Sequence, residues 1–104
     1  MTSRTIAQPT GQVPGAETGT ADGEAADRIR AMRERIDEID HALMALWQER
    51  ARLSRQVGAT RVAAGGTRLV LSREREILDR FRTELGADGT QLGLLVLRAG
   101  RGPL

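Results

Sequence analysis

The amino-acid sequence predicts an all-α chain of three helices, one long and two shorter, that pairs with a second copy of itself. Three observations carry this reading. Apolar residues recur at alternating spacings of three and four from Ile29 to Val57; glycines cut the remainder into two shorter helical stretches; and no segment alternates apolar and polar residues as a half-buried strand would. The apolar residues are largely aliphatic, since the 104 residues hold one Trp, one Phe and no Tyr. A chain of that length forms one domain at most.

Residues 1–25 are rich in Thr, Gly, Ala, Gln and Pro and nearly free of large apolar side chains. Such a segment buries too little surface to offset its ordering entropy, so it is expected to be disordered, leaving 26–104 as the ordered domain. From Asp27 the pattern changes. Ile29, Met32, Ile36, Ile39, Leu43, Leu46, Arg50, Leu53 and Val57 form one helical seam, with no proline or glycine before Gly58. A helix over Asp27–Ala59 would be ~50 Å long. The two shorter helices are too small to cover it, which predicts an obligate dimer.

The second helix is expected from Ser72, a suitable N-cap, to Leu85, with Gly86 as C-cap and Glu74 and Glu76 at the positive end of its dipole. Its stripe is Val70, Glu74, Ile77 and Phe81, flanked by Leu71 and Leu78. A turn at Ala87-Asp88-Gly89 leads to a third helix over 90–98, which the glycine-rich tail from Ala99 is not expected to continue.

Composition narrows the function. The pI of 10.8 points towards nucleic acid, but 16 basic residues face 14 acidic ones, and all 16 are arginine. Nothing resembles a recognition helix or an aromatic stacking surface, so a nucleic-acid-binding dimer is the weakest reading. Without cysteine there is neither a disulfide framework nor a thiolate metal site. No apolar run reaches the ~18 residues of a membrane span, and no secretory signal is evident, which places the protein in the cytoplasm. His41 is the sole histidine and lies off the seam; Ser54 and Ser72 have no base to activate them. Gly65-Gly66-Thr67 lacks the phosphate-loop pattern and follows no strand. Any reaction here would use no metal, cofactor or nucleophile, only orientation and fixed charge.

The informative anomaly is a charge on each apolar seam, Arg50 in the first helix and Glu74 in the second. A charge on a core face must be paired or must meet a ligand. One solution is an Arg50–Glu74 salt bridge, or snorkelling to solvent. The other is a binding site. Arg33 flanks the seam, Arg61 lies one turn past Val57, and Arg73 one turn before Ile77. An antiparallel crossing of two long helices would bring Arg33 of one copy towards Arg50–Arg61 of the other. Several guanidiniums and one carboxylate would then share an apolar-walled pocket, and guanidinium forks match carboxylates, so the implied ligand is a small polyanion.

These residues also resemble a known family. "MRERIDEIDHALMALWQERARLSRQVGATR" (32–61), "GGTRLVLSRERE" and "LGLLVLRAGRG" are similar to the all-α chorismate mutases, above all the short stand-alone actinobacterial kind, over roughly 27–102. The resemblance implies three helices per chain interlocked into a homodimer with shared active sites, and the intramolecular rearrangement of chorismate to prephenate in Phe/Tyr biosynthesis. It implies that Arg33 reaches a substrate carboxylate in the partner chain's site and that Arg50 binds a carboxylate from its own chain. Arg61 would approach the ether oxygen and Glu74 would accept a hydrogen bond from the ring hydroxyl. Arg73, Thr67 and the backbone near Val70 would complete the polar wall. The third helix carries no mid-helix polar residue where better-studied relatives place a glutamine. That matches the short subclass, whose members gain activity by docking on 3-deoxy-arabino-heptulosonate 7-phosphate synthase. A helical module that mainly regulates such an enzyme is therefore the alternative function.

Overall fold

The computed structural model describes residues 15–102. They form three α-helices, α1 Gly23–Ala63, α2 Leu71–Leu85 and α3 Ala87–Arg101, with no strand among the described residues. The residues group into two compact units, one ending at Ala42 and one beginning at Leu43.

In the N-terminal unit α1 starts at Gly23 rather than near Asp27. Asp22 supplies the reason: its Oδ1 accepts the Ala25 N–H at 2.9 Å, and its own N–H donates to Thr20 Oγ1 at 3.2 Å. This is an aspartate N-cap, which satisfies a backbone donor that the helix itself leaves open. Ahead of it, Gly19 N–H donates to the Gly15 carbonyl at 2.6 Å and closes a turn. That turn presents Glu17 to α1. Arg30 Nε donates to the Glu17 carboxylate at 3.0 Å, and Arg33 donates to the Glu17 carbonyl at 2.7 Å. Of the segment 1–25 expected to be disordered, residues 1–14 lie outside the described residues.

In the C-terminal unit α1 continues through Gly58 to Ala63, past the predicted end at Ala59. A single interior glycine costs only about 1 kcal/mol, which the following helical residues withstand. The break comes at Gly65, whose φ is +83°, and the Gly66 N–H donates back to the Arg61 carbonyl at 2.8 Å. α2 begins at Leu71, and its cap is Val70 in extended conformation with no side-chain hydrogen bond. The expected cap, Ser72, is therefore already inside the helix. The Val70 carbonyl accepts the N–H groups of Arg73 and Glu74, so these first-turn donors are met by backbone rather than by a side-chain acceptor.

α2 ends at Leu85 and Gly86 caps it, as expected, with its N–H on the Arg82 carbonyl. The predicted turn at 87–89 is instead helical. Gly86, at φ +74°, takes the whole bend in one residue, so α3 starts directly at Ala87. α3 also runs on to Arg101 rather than stopping near 98. Its buried face is Gly89, Gly93, Val96, Leu97 and Gly100, opposite the buried Ile77 of α2. Gly100 is what permits the extension: a Cβ there would lie 2.5 Å from Ser54 Oγ and 2.8 Å from Ser54 Cβ. Only glycine lets the last turn of α3 lie this close to α1. Arg55 seals the approach by donating to the Ala99 carbonyl at 3.3 Å.

The described residues leave the seam of α1 uncovered. Met32, Ile36, Leu43, Leu46, Leu53 and Val57 are each more than half exposed. No helix among the described residues is long and apolar enough to cross a membrane.

Candidate active site

The C-terminal unit holds a cavity of about 720 Å³. One wall is α1 from Arg50 to Val62, with Leu53, Val57 and Gly58; another is the loop residues Arg68, Leu69 and Val70. Arg73, Glu74 and Ile77 of α2 and Leu97, Gly100 and Arg101 of α3 close it. The charge balance of the lining is lopsided. Among the described residues, six arginines, at 50, 55, 61, 68, 73 and 101, face a single acid, Glu74. A structural ion-pair network would bring acids in similar number; this lining lacks them and suits an anion with more than one carboxylate.

Each predicted residue has a definite place. Arg50 lies at the cavity wall and makes no ion pair among the described residues; Glu74 pairs with Arg101 instead, at 3.2 Å. The Arg50–Glu74 bridge weighed from the sequence is thus not formed. Burial, and then the like charge of Arg73, pull the Arg50 guanidinium below its ordinary pKa, which is the signature of a cation held where it lacks a counter-charge. Arg61 lines the cavity while donating to the carbonyls of Arg68, at 2.8 Å, and Thr67, at a longer 3.4 Å. Arg73 lines it too, although its guanidinium also reaches Glu76 at 2.6 Å.

Val70 contributes to the wall as the residue that starts α2. Thr67 is not part of the lining: its Oγ1 donates to the Leu69 carbonyl at 2.9 Å and shapes the loop from within. Arg33 belongs to the N-terminal unit, where Glu17 holds it, and it is not among the lining residues. His41 is exposed, and no group of His, Cys, Asp or Glu among the described residues could hold a metal ion. The arrangement can bind, orient and stabilise negative charge, and it offers one carboxylate as a hydrogen-bond acceptor.

Residues 32–94 match the family model described as chorismate mutase type II. This chain belongs to that family. Among its relatives, the intracellular chorismate mutase of Mycobacterium tuberculosis is 45% identical over 83 residues, 80% of this chain and 78% of that protein. The intracellular chorismate mutase of Mycolicibacterium smegmatis is 43% identical over 81 residues, 78% of each. A solved non-covalent complex of DAHP synthase and chorismate mutase from Corynebacterium glutamicum, with a bound transition state analogue, contains a similar chain. The TM-score is 0.71 at 40% identity, over 75% of this chain and 94% of that one. The chain is therefore a chorismate mutase, an isomerase, of all-α fold.

For this chorismate mutase, sequence reasoning passed over three cavity arginines, Arg55, Arg68 and Arg101. Arg68 stands in the quoted GGTR stretch, beside Thr67. Arg101 was hidden by the early end assigned to α3. Its signal is the spacing Gly93, Leu97, Arg101, which continues the buried face of α3 by one more turn once Gly100 is allowed inside the helix.

Proposed function

We propose that the cavity of the C-terminal unit is where chorismate rearranges to prephenate, driven by orientation and fixed positive charge. The observation that supports this most is the six-to-one excess of arginine over acid among the described residues of the lining, with Arg50 held there below its ordinary pKa by burial and Arg73. In this reading Arg50 holds one substrate carboxylate and Arg33 of a second copy holds the other. Fixing both favours the compact, reactive conformer over the extended one. Arg61 faces the ether oxygen, where negative charge grows as the C–O bond breaks, so its interaction is strongest in the transition state. Glu74 accepts the hydrogen bond of the ring hydroxyl, and Arg73 and Val70 complete the wall. Thr67 serves by shaping the loop.

The shared site requires a homodimer. The exposed seam of α1 supports one, since each large aliphatic side chain moved from water into an interface contributes about 1.5–3 kcal/mol. Relatives described as intracellular support the same location here. The complex of the similar Corynebacterium glutamicum enzyme with DAHP synthase supports a corresponding non-covalent partner for this chain. Docking would then modulate the site rather than replace its chemistry.

Loss of chorismate absorbance with purified protein tests the catalytic reading. Wild type should outpace Arg50→Ala and Arg61→Ala by at least an order of magnitude; equal rates in all three would refute the site. Rates with and without added DAHP synthase, alongside co-elution on a sizing column, test the partner.

A further inference from the structure

The third helix of this chain carries no polar residue at its middle, yet it reaches the cavity with a charge at its last residue. Arg101 donates to Glu74 Oε1 at 3.2 Å, with the two side chains only 25% and 18% exposed. The other ion pairs described are exposed pairs between near neighbours on one helix or at the N-terminal turn, such as Arg35–Glu38 and Arg30–Glu17, and such pairs contribute little. The Arg101–Glu74 pair joins the end of α3 to the first turn of α2, and it lies at the cavity.

Arg101 is itself held from several sides. Its carbonyl accepts the Arg68 guanidinium at 2.9 Å. Its helix is closed by the Gly102 N–H on the Arg98 carbonyl. Its neighbour Gly100 is pressed against Ser54. Its Nε is buried with no hydrogen-bond partner among the described residues, a cost that a residue serving only as a surface pair would not carry. The contact uses one guanidinium nitrogen and one carboxylate oxygen. A carboxylate has two oxygens and about four acceptor sites, so Oε2 stays available to a second donor.

We infer that Arg101 is a positioning residue for the rearrangement: it locks the rotamer of Glu74 through Oε1 so that Oε2 is presented to the ring hydroxyl of the substrate. The inference rests on the reading of Glu74 as the hydroxyl acceptor. A free glutamate would spread over several rotamers, and each turnover would have to order it again. Arg101 removes that cost beforehand. The third helix thus takes part in the chemistry from its C-terminal end, through α2.

A double-mutant cycle on the full chain tests this. Arg101→Met should lower kcat/KM by roughly ten- to a hundredfold, the range for a hydrogen bond to a charged group. Arg101→Lys keeps a cation there and should recover part of that loss. In a Glu74→Leu background, which keeps the bulk but has no acceptor, the Arg101→Met loss should shrink to less than about threefold, because there is no side-chain oxygen left to position. Equal losses in both backgrounds, or no recovery with lysine, would overturn the inference and assign Arg101 to stability, a result that thermal unfolding would register in parallel. Unchanged kinetics for Arg101→Met would overturn it as well. Should Glu74→Leu alone match wild type, the acceptor reading of Glu74 fails and the positioning role falls with it. An impaired Glu74→Leu with an undiminished Arg101 effect removes the positioning role alone.

Discussion

The Arg61 guanidinium donates to the carbonyl oxygen of Arg68 at 2.8 Å, so the cation proposed for the ether oxygen also fastens the loop that precedes α2. Charge and loop geometry are therefore coupled at one side chain. Arg61→Ala should lower kcat by about 10²–10³, the usual cost of removing a transition-state donor. Arg61→Lys, which keeps the charge but not the planar fork, should fall between the two. Steady-state kinetics on the three proteins decide this; a lysine variant as slow as alanine would assign the effect to the loop alone.

Gly66 lies against the same arginine. A Cβ at Gly66 would stand 2.8 Å from Arg61 Cγ and 3.0 Å from the Arg61 carbonyl oxygen. The side chain could yield, but the carbonyl is helix backbone and already accepts the Gly66 N–H. Gly66→Ala should destabilise the chain by about 1–3 kcal/mol and lower activity with it. Denaturant unfolding and kinetics measure both; a variant matching wild type in each would show that the loop has slack.

Arg50 carries a burial penalty on its charge. Folding pulls its pKa down through burial and Arg73, so the charged form is disfavoured relative to the unfolded chain. That penalty is present in full wherever the group is charged and is relieved only as pH rises past the lowered value. Arginine stays charged near neutrality, so the penalty is constant there and Arg50 should add no titration step to stability. Arg50→Met should lose activity while its thermal midpoint stays at least as high as that of wild type. A clear fall in the midpoint would mean that the guanidinium is satisfied in a way the geometry does not show.

An arginine-lined site for a dicarboxylate should respond to salt. Raising ionic strength from about 0.05 M to about 0.5 M should increase KM more than it lowers kcat, because screening weakens capture of the anion before it alters a contact already made. A KM that stays flat across this range would argue against electrostatic capture by the exposed cavity arginines.

Much of this was legible in the residues. The three-four spacing from Ile29 to Val57 marks α1, and the misplaced charges Arg50 and Glu74 mark the cavity. The boundaries were less legible, for a common reason. Gly58 and Gly100 look like helix breakers in isolation, yet α1 passes through the first and α3 through the second. The first costs only about 1 kcal/mol, too little to end a helix of this length. The second is small because Ser54 leaves no room for a side chain, and sequence distance conceals that contact.

The sequence by itself determined the helical class, the seam that the described residues leave exposed, and the arginines and the carboxylate at 50, 61, 73 and 74 that line the cavity. These follow from periodicity and from the cost of placing charge on an apolar face, which are local properties of the chain. The tertiary structure decided which cation meets that carboxylate. Glu74 pairs with Arg101 rather than Arg50, because the one-residue bend at Gly86 and the Gly100–Ser54 approach carry the end of α3 to the start of α2. A pairing across twenty-six intervening residues depends on where two helices cross, and no spacing rule within either helix contains that information.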